Sequence, residues 1–313
     1  NSGTTPDVIK IPEIIDGLQY AGNQSLQRPV TDINLLLTYG QSNGSGQQTA
    51  PPLSRDNFRG NLMLGVQEWV NNYGNTNPTT FNPLYALPAA SFNMTAEESE
   101  QTTIDNQVLC ESSGVGYANA TKNVLDNFAL GLFDRVFLAI NSAIGGQSIE
   151  LLSKNCPNNN GADYTKLLQA ITSAKSVADT AGKTIACNSV TWIQGEYNAT
   201  QAAGQGWTAG TNATNDPAQY KAYLKQLITD LFADIKTVFG QSENPAFFLT
   251  QHGTGWLEEF EMYIQMALLE TANEDDRTTM VCPLYQVTNR GHLDPNGQRW
   301  VGEYISKVYY RTI

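Results

Sequence analysis

The chain has 313 residues and a formal net charge of −12, from 30 acidic against 18 basic side chains. Such a surface repels nucleic-acid phosphates and anionic lipid, and no stretch approaches the roughly 20 apolar residues that span a bilayer. Neither nucleic acid nor membrane is expected as a partner. The length supports a sizeable core, and no linker or solenoid-period repeat divides it, so one domain over 1–313 is expected.

After an N-terminal extension, 1–32, the apolar run 34–39 reads as the first strand. It leads straight into Tyr39-Gly40-Gln41-Ser42-Asn43-Gly44, which sets a serine on a sharp turn between two glycines. Glycine relieves the steric penalty of such a turn, and the exposed hydroxyl can meet both a base and a substrate. The segment 45–113 reads as a long loop insertion. A helical pattern covers 117–132, and a second strand, 135–141, ends in Ser142-Ala143-Ile144-Gly145-Gly146. A helix is expected over 164–180. A third strand, 185–193, leads to Gln194-Gly195-Glu196 and a loop, 197–216, rich in Gly, Asn and Thr. Asp216 before Pro217 is a capping residue followed by a first-turn proline, opening a helix over 217–239. A fourth strand, 246–251, precedes His252. A helix over 256–273 and a fifth strand over 280–287 follow, then Gly291-His292-Leu293-Asp294-Pro295-Asn296-Gly297 and a last helix over 296–310.

Alternating strands and helices imply parallel strands joined by right-handed crossovers, with helices on both faces. The expected fold is a doubly wound α/β sandwich around a central five-stranded parallel sheet, with long loop insertions. In such sheets ligands bind beyond the carboxyl ends of the strands. Ser42, Gly145-Gly146, Gln194, His252 and His292 all fall there. Gly40-Gln41-Ser42-Asn43-Gly44 also fits the α/β-hydrolase elbow, but there the nucleophile follows several strands, whereas Ser42 follows the first.

The runs around Ser42, Gly145, Gln194 and His292 together resemble the SGNH hydrolases, and within them the sialate O-acetylesterase-like and acetylxylan-esterase-like carbohydrate esterases. The resemblance runs from about residue 34 to the C-terminus and is strongest at the first and third blocks. It implies a flavodoxin-like sheet and a serine acyl-enzyme mechanism that removes O-acetyl groups from a polysaccharide or sialylated glycan. A serine hydroxyl needs a base, and the chain has only two histidines, His252 and His292. His292 is the expected base, since the resemblance puts the catalytic histidine in the late block. His252 is expected to line the substrate pocket. The expected oxyanion donors are the backbone N–H groups of Ser42 and Gly145, with Gly146 as the alternative, and the side-chain amide that the resemblance assigns to Gln194.

The third triad member departs from the family pattern. Many of these enzymes carry an aspartate three residues before the histidine, and here Asn289 stands there. Glu196 is the expected orienting acid, with Asn289 in a neutral role and Asp294 as the other options. Trp69, Tyr73 and Trp207 are expected in an aromatic rim that packs on sugar faces, Trp207 as a substrate contact.

Two histidines and no Cys-x-x-Cys pair among Cys110, Cys156, Cys187 and Cys282 leave no set of zinc ligands, so no metal or cofactor is expected. Four cysteines allow three complete pairings, and the sequence does not choose among them. Low lysine content and triplets such as Asn93-Met94-Thr95 and Asn198-Ala199-Thr200 point to an extracellular or secreted protein, a phage virion included. Two rival readings stand beside the esterase. One is a glycoside hydrolase with paired carboxylates, which Glu97-Glu98 and Glu258-Glu259 do not supply, being solvated faces. The other is a non-catalytic carbohydrate-binding or phage tail adhesin domain on an esterase-like fold.

Overall fold

A computed structural model describes residues 25–56, 60–86, 109–127, 135–155, 160–201, 213–252, 262–284, 288–289 and 291–313. In chain order its elements are β1 (Ile33–Gly40), α1 (Ser42–Ser45), β2 (Leu62–Leu64), β3 (Phe81–Pro83), α2 (Ser113–Asn127), β4 (Val136–Asn141), α3 (Ile149–Leu152) and α4 (Ala162–Thr180). Then come β5 (Ile185–Ile193), α5 (Glu196–Gln201), α6 (Pro217–Phe239), β6 (Ala246–Gln251), α7 (Tyr263–Glu274), β7 (Thr278–Pro283), β8 (Thr288–Asn289), β9 (His292–Leu293) and α8 (Pro295–Thr312).

The main sheet has the order β3-β2-β4-β1-β5-β6-β7. All its pairings are parallel except β2 with β3. Five of its six mutually parallel strands, β4, β1, β5, β6 and β7, are those the sequence predicts, but the sheet has seven strands rather than five. The extra two come from 45–113, so that segment is not wholly loop. Strands of three residues carry too few alternations to stand out in a sequence.

Every residue of β1 is buried, as a central strand covered on both faces requires. Its pleat deals Leu35, Leu37 and Tyr39 to one core and Leu36 to the other. The first core is closed by α4 and α6 through residues such as Leu167, Ile171, Leu224 and Ile228. The second is closed by α2 and α8, where Tyr309 meets Tyr117, Phe137 and Phe248 edge-on at 5.7, 6.4 and 6.4 Å. Helices on both faces confirm the doubly wound arrangement.

Asp216 caps α6 as predicted, its Oδ1 accepting from Ala218 and Gln219, with Pro217 in the first turn. Asp294 caps α8 in the same way, accepting from Gly297 N at 2.7 Å. It is thus used as a helix cap rather than as a partner of His292. Cys187 and Cys282 are free thiols. No described helix is long and apolar enough to cross a membrane.

Candidate active site

The site forms where β1, β4 and β5 end and the β8–β9 hairpin folds back over them. At the end of β1, Gly40 has φ +146°, and a Cβ there would lie 2.0 Å from Ile193 O. Only glycine lets β1 turn out so close to β5. Gln41 then anchors the turn: its N–H donates to Ile193 O, and its Oε1 accepts from Tyr197 N at 3.1 Å. Ser42 is the first residue of α1, so its own N–H has no acceptor within that helix.

Ser42 Oγ lies 3.0 Å from His292 Nε2. The two residues are 8% and 6% exposed, reachable from solvent yet largely dry. His292 Nδ1 is 2.8 Å from Gln48 Oε1. An amide oxygen accepts only, so this contact places the ring proton on Nδ1 and turns the Nε2 lone pair toward the serine hydroxyl. Burial pulls the His292 pKa below the ordinary histidine value, and the negative charge of Glu196 opposes that shift.

Glu196 sits in the cluster without bonding the histidine. Its Oε1 accepts from Asn43 Nδ2 at 2.6 Å, and its Oε2 is buried with no hydrogen-bond partner. The expected carboxylate contact with Nδ1 is therefore replaced by the Gln48 amide. Asn289 lies opposite His292 in the β8–β9 ladder, with its side chain outside the described residues. Asn43 is the staple of the site. Besides Glu196 it donates to Gly291 O at 3.3 Å, accepts from Leu293 N at 2.9 Å, and its carbonyl accepts from Gln298 Nε2 at 2.7 Å. One side chain thus ties the serine turn to the histidine hairpin, and its backbone ties both to α8.

Gly145 flanks the serine, and a Cβ built on it would be 3.9 Å from Ser42 Cβ. Its N–H donates to Tyr73 OH at 3.3 Å, so the expected oxyanion donor points to a hydroxyl beside the nucleophile. Gln194 does not play the expected part. Its amide nitrogen donates to Asn198 Oδ1 at 2.7 Å and Gln147 O at 3.2 Å, and its Oε1 accepts from Tyr220 OH at 2.7 Å. Both of its N–H groups are used in holding the loops after β4 and β5 together. His252 is 1% exposed and packs its ring on Gly195, where a Cβ would come within 2.3 Å of Cδ2. That burial replaces the substrate contact expected of His252. Trp69 is equally buried, its indole N–H donating to Ser45 O at 2.8 Å, so it supports α1 instead of forming a rim. Trp207 lies outside the described residues.

Gln48 and Asn43 are among the site residues to which sequence reading assigned no role. Asn43 had a signal, its place directly after the serine in the first block. Gln48 had none.

The fold is that of the SGNH-type hydrolases. A protein from Arabidopsis thaliana superposes with a TM-score of 0.59 at 14% identity, over 89% of this chain and 98% of its own. NanS superposes with a TM-score of 0.55 at 14% identity, over 90% of this chain and 98% of its own. A carbohydrate acetylesterase from Xanthomonas citri aligns with a TM-score of 0.49 and 16% identity, over 88% of this chain and 56% of its own. No protein-family profile and no curated protein sequence matches the chain.

Proposed function

We propose that the protein is a single-domain serine acetylesterase that removes O-acetyl groups from a polysaccharide or sialylated glycan. The observation that carries this reading is the 3.0 Å contact of Ser42 Oγ with His292 Nε2 at the carboxyl edge of the sheet. The shared SGNH-type fold supports ester hydrolysis as the chemistry.

In the proposed reaction His292 Nε2 takes the Ser42 proton while Oγ attacks the acetyl carbonyl. The N–H groups of Ser42 and Gly145 receive the oxyanion, for which Gly145 exchanges its bond to Tyr73. Collapse of the intermediate releases the sugar hydroxyl, protonated by His292. Water activated by the same nitrogen then frees acetate. Gln48 holds the tautomer but carries no charge, so stabilisation of the imidazolium falls to Glu196 acting through space. No metal or cofactor takes part in any step.

A glycan substrate fits an extracellular or virion location. One observation favours the non-catalytic adhesin as a second reading: a neutral amide, not a carboxylate, meets Nδ1. Hydrolysis of 4-nitrophenyl acetate separates the two. The wild type is expected to turn over, and Ser42→Ala and His292→Ala each to lose roughly 10³-fold or more in kcat. An inert wild type, or a Ser42→Ala variant of undiminished rate, would overturn the esterase.

A further inference from the structure

A groove of about 520 Å³ runs between α2 and α8, and none of its lining residues belongs to the serine–histidine cluster. The volume lies within the range of small-ligand sites, roughly 300–1,000 Å³. From Arg299 to Lys307 it follows α8 for about 12 Å, two to three turns.

Its chemistry is that of a donor surface with an aromatic floor. Trp300, 48% exposed, leans on Tyr304 with ring centroids 4.7 Å apart. Lys307 Nζ stands 5.3 Å from the Tyr304 ring centre. Across the groove, Asn119 and Asn123 face it from α2, one turn apart. The carbonyl of each accepts a bond within the protein, Asn119 Oδ1 from Asn61 and Asn123 Oδ1 from Asn127, which fixes the orientation of the amides and leaves their nitrogens to donate. Arg299 adds a guanidinium that Glu303, the one carboxylate among the described lining residues, meets at 3.7 Å. Among the described lining residues two cations thus accompany one carboxylate, on a chain whose net charge is −12. That local excess of cations, on a chain of opposite net charge, is what favours an acidic ligand in this groove.

We infer that the α2–α8 groove is a second glycan site, separate from the ester-cleaving one, that holds a carboxylate-bearing sugar unit of an acidic polysaccharide. The aromatic pair packs on the C–H face of a pyranose ring, as apolar ring faces do on indole. The amides and Lys307 take the hydroxyls and the carboxylate. This inference rests on the glycan-esterase reading for the source of the chain it holds, while the groove's own chemistry stands apart from catalysis.

The test is calorimetric titration of Ser42→Ala protein with a galacturonic acid trisaccharide and with the same trisaccharide fully methyl-esterified. The acidic form is expected to bind at least tenfold more tightly, and raised salt to narrow the difference. Trp300→Ala and Lys307→Gln, each at an exposed position, are each expected to weaken the acidic probe at least tenfold while leaving 4-nitrophenyl acetate hydrolysis unchanged in the Ser42 background. Equal binding of both trisaccharides, or binding indifferent to both substitutions, overturns the inference. Equal binding of an oligoglutamate overturns its sugar part. Loss of hydrolysis in wild type with groove binding intact would refute the esterase and leave the groove standing.

Discussion

His292 meets opposing influences, and both are testable. Burial favours its neutral form, so the rising limb of kcat/KM against pH should fall below the ordinary histidine value of 6.5. Removing the Glu196 charge in Glu196→Gln takes away an influence that raises that pKa. The limb should move to still lower pH while kcat falls, because the imidazolium loses its counter-charge. Gln48→Glu should move the limb the other way, by placing a carboxylate on Nδ1. Gln48→Ala gives up a hydrogen bond to a group that becomes charged in the transition state. About 1.5–3 kcal/mol is at stake, roughly ten- to a hundredfold in kcat. A limb that stays put in both charge variants would remove His292 from the role of base.

Among the elements, the α2–α8 crossing governs the position of the histidine. Gly302 faces α2 so closely that a Cβ would sit 2.6 Å from Ser113 O and from Tyr117 N. Backbone atoms inside a helix cannot yield as a side-chain tip would, so Gly302→Ala must push the helices apart. The expected cost is about 1–3 kcal/mol, read as a lower denaturant midpoint with an unchanged m-value. Activity should fall as well, in conditions where the variant is still fully folded. Asp294 caps α8 two residues after His292, and Gln298 holds the carbonyl of Asn43, so a shifted α8 drags the hairpin from the serine. A destabilised but fully active variant would show that hairpin and helix are not coupled.

At the scale of the molecule, a buried acid makes stability depend on pH. Glu68 is 3% exposed and its carboxyl is pushed up to about 8, chiefly by burial, with the charge of Glu111 adding to the shift and Ser112 opposing it. The folded protein therefore keeps a proton that the unfolded chain gives up above the ordinary glutamate value of 4.5. Between those two pH values the unfolded state binds fewer protons. Stability should then fall as pH rises, by about 1.4 kcal/mol per pH unit from this group, and level off above the folded value. Glu68→Gln, neutral throughout, should match the wild type near pH 4.5 and exceed it at pH 8 in denaturant unfolding. Equal stability at both would place the carboxyl in a wetter setting than the structure gives it.

The sequence by itself determined the parts of this protein that rest on local pattern. Runs of apolar residues such as Ile33 to Tyr39 are long enough to declare a buried strand, and a proline behind an aspartate declares the start of α6. Their alternation in turn dictated a parallel sheet, beyond whose strand ends Ser42 and His292 come within 3.0 Å, while the choice of His292 over His252 rested on the resemblance of its block to the SGNH hydrolases. The tertiary structure decided what depends on one side chain finding another across the fold. Gln48 reaches His292 over a separation of 244 residues, and nothing in its neighbours marks it. Glu196 and Gln194 occupy the expected loop, yet Asn43 takes one and Asn198 with Tyr220 the other. Those choices follow from rotamers and from which polar groups burial leaves in need of a partner. Neither is written in the spacing of residues along the chain.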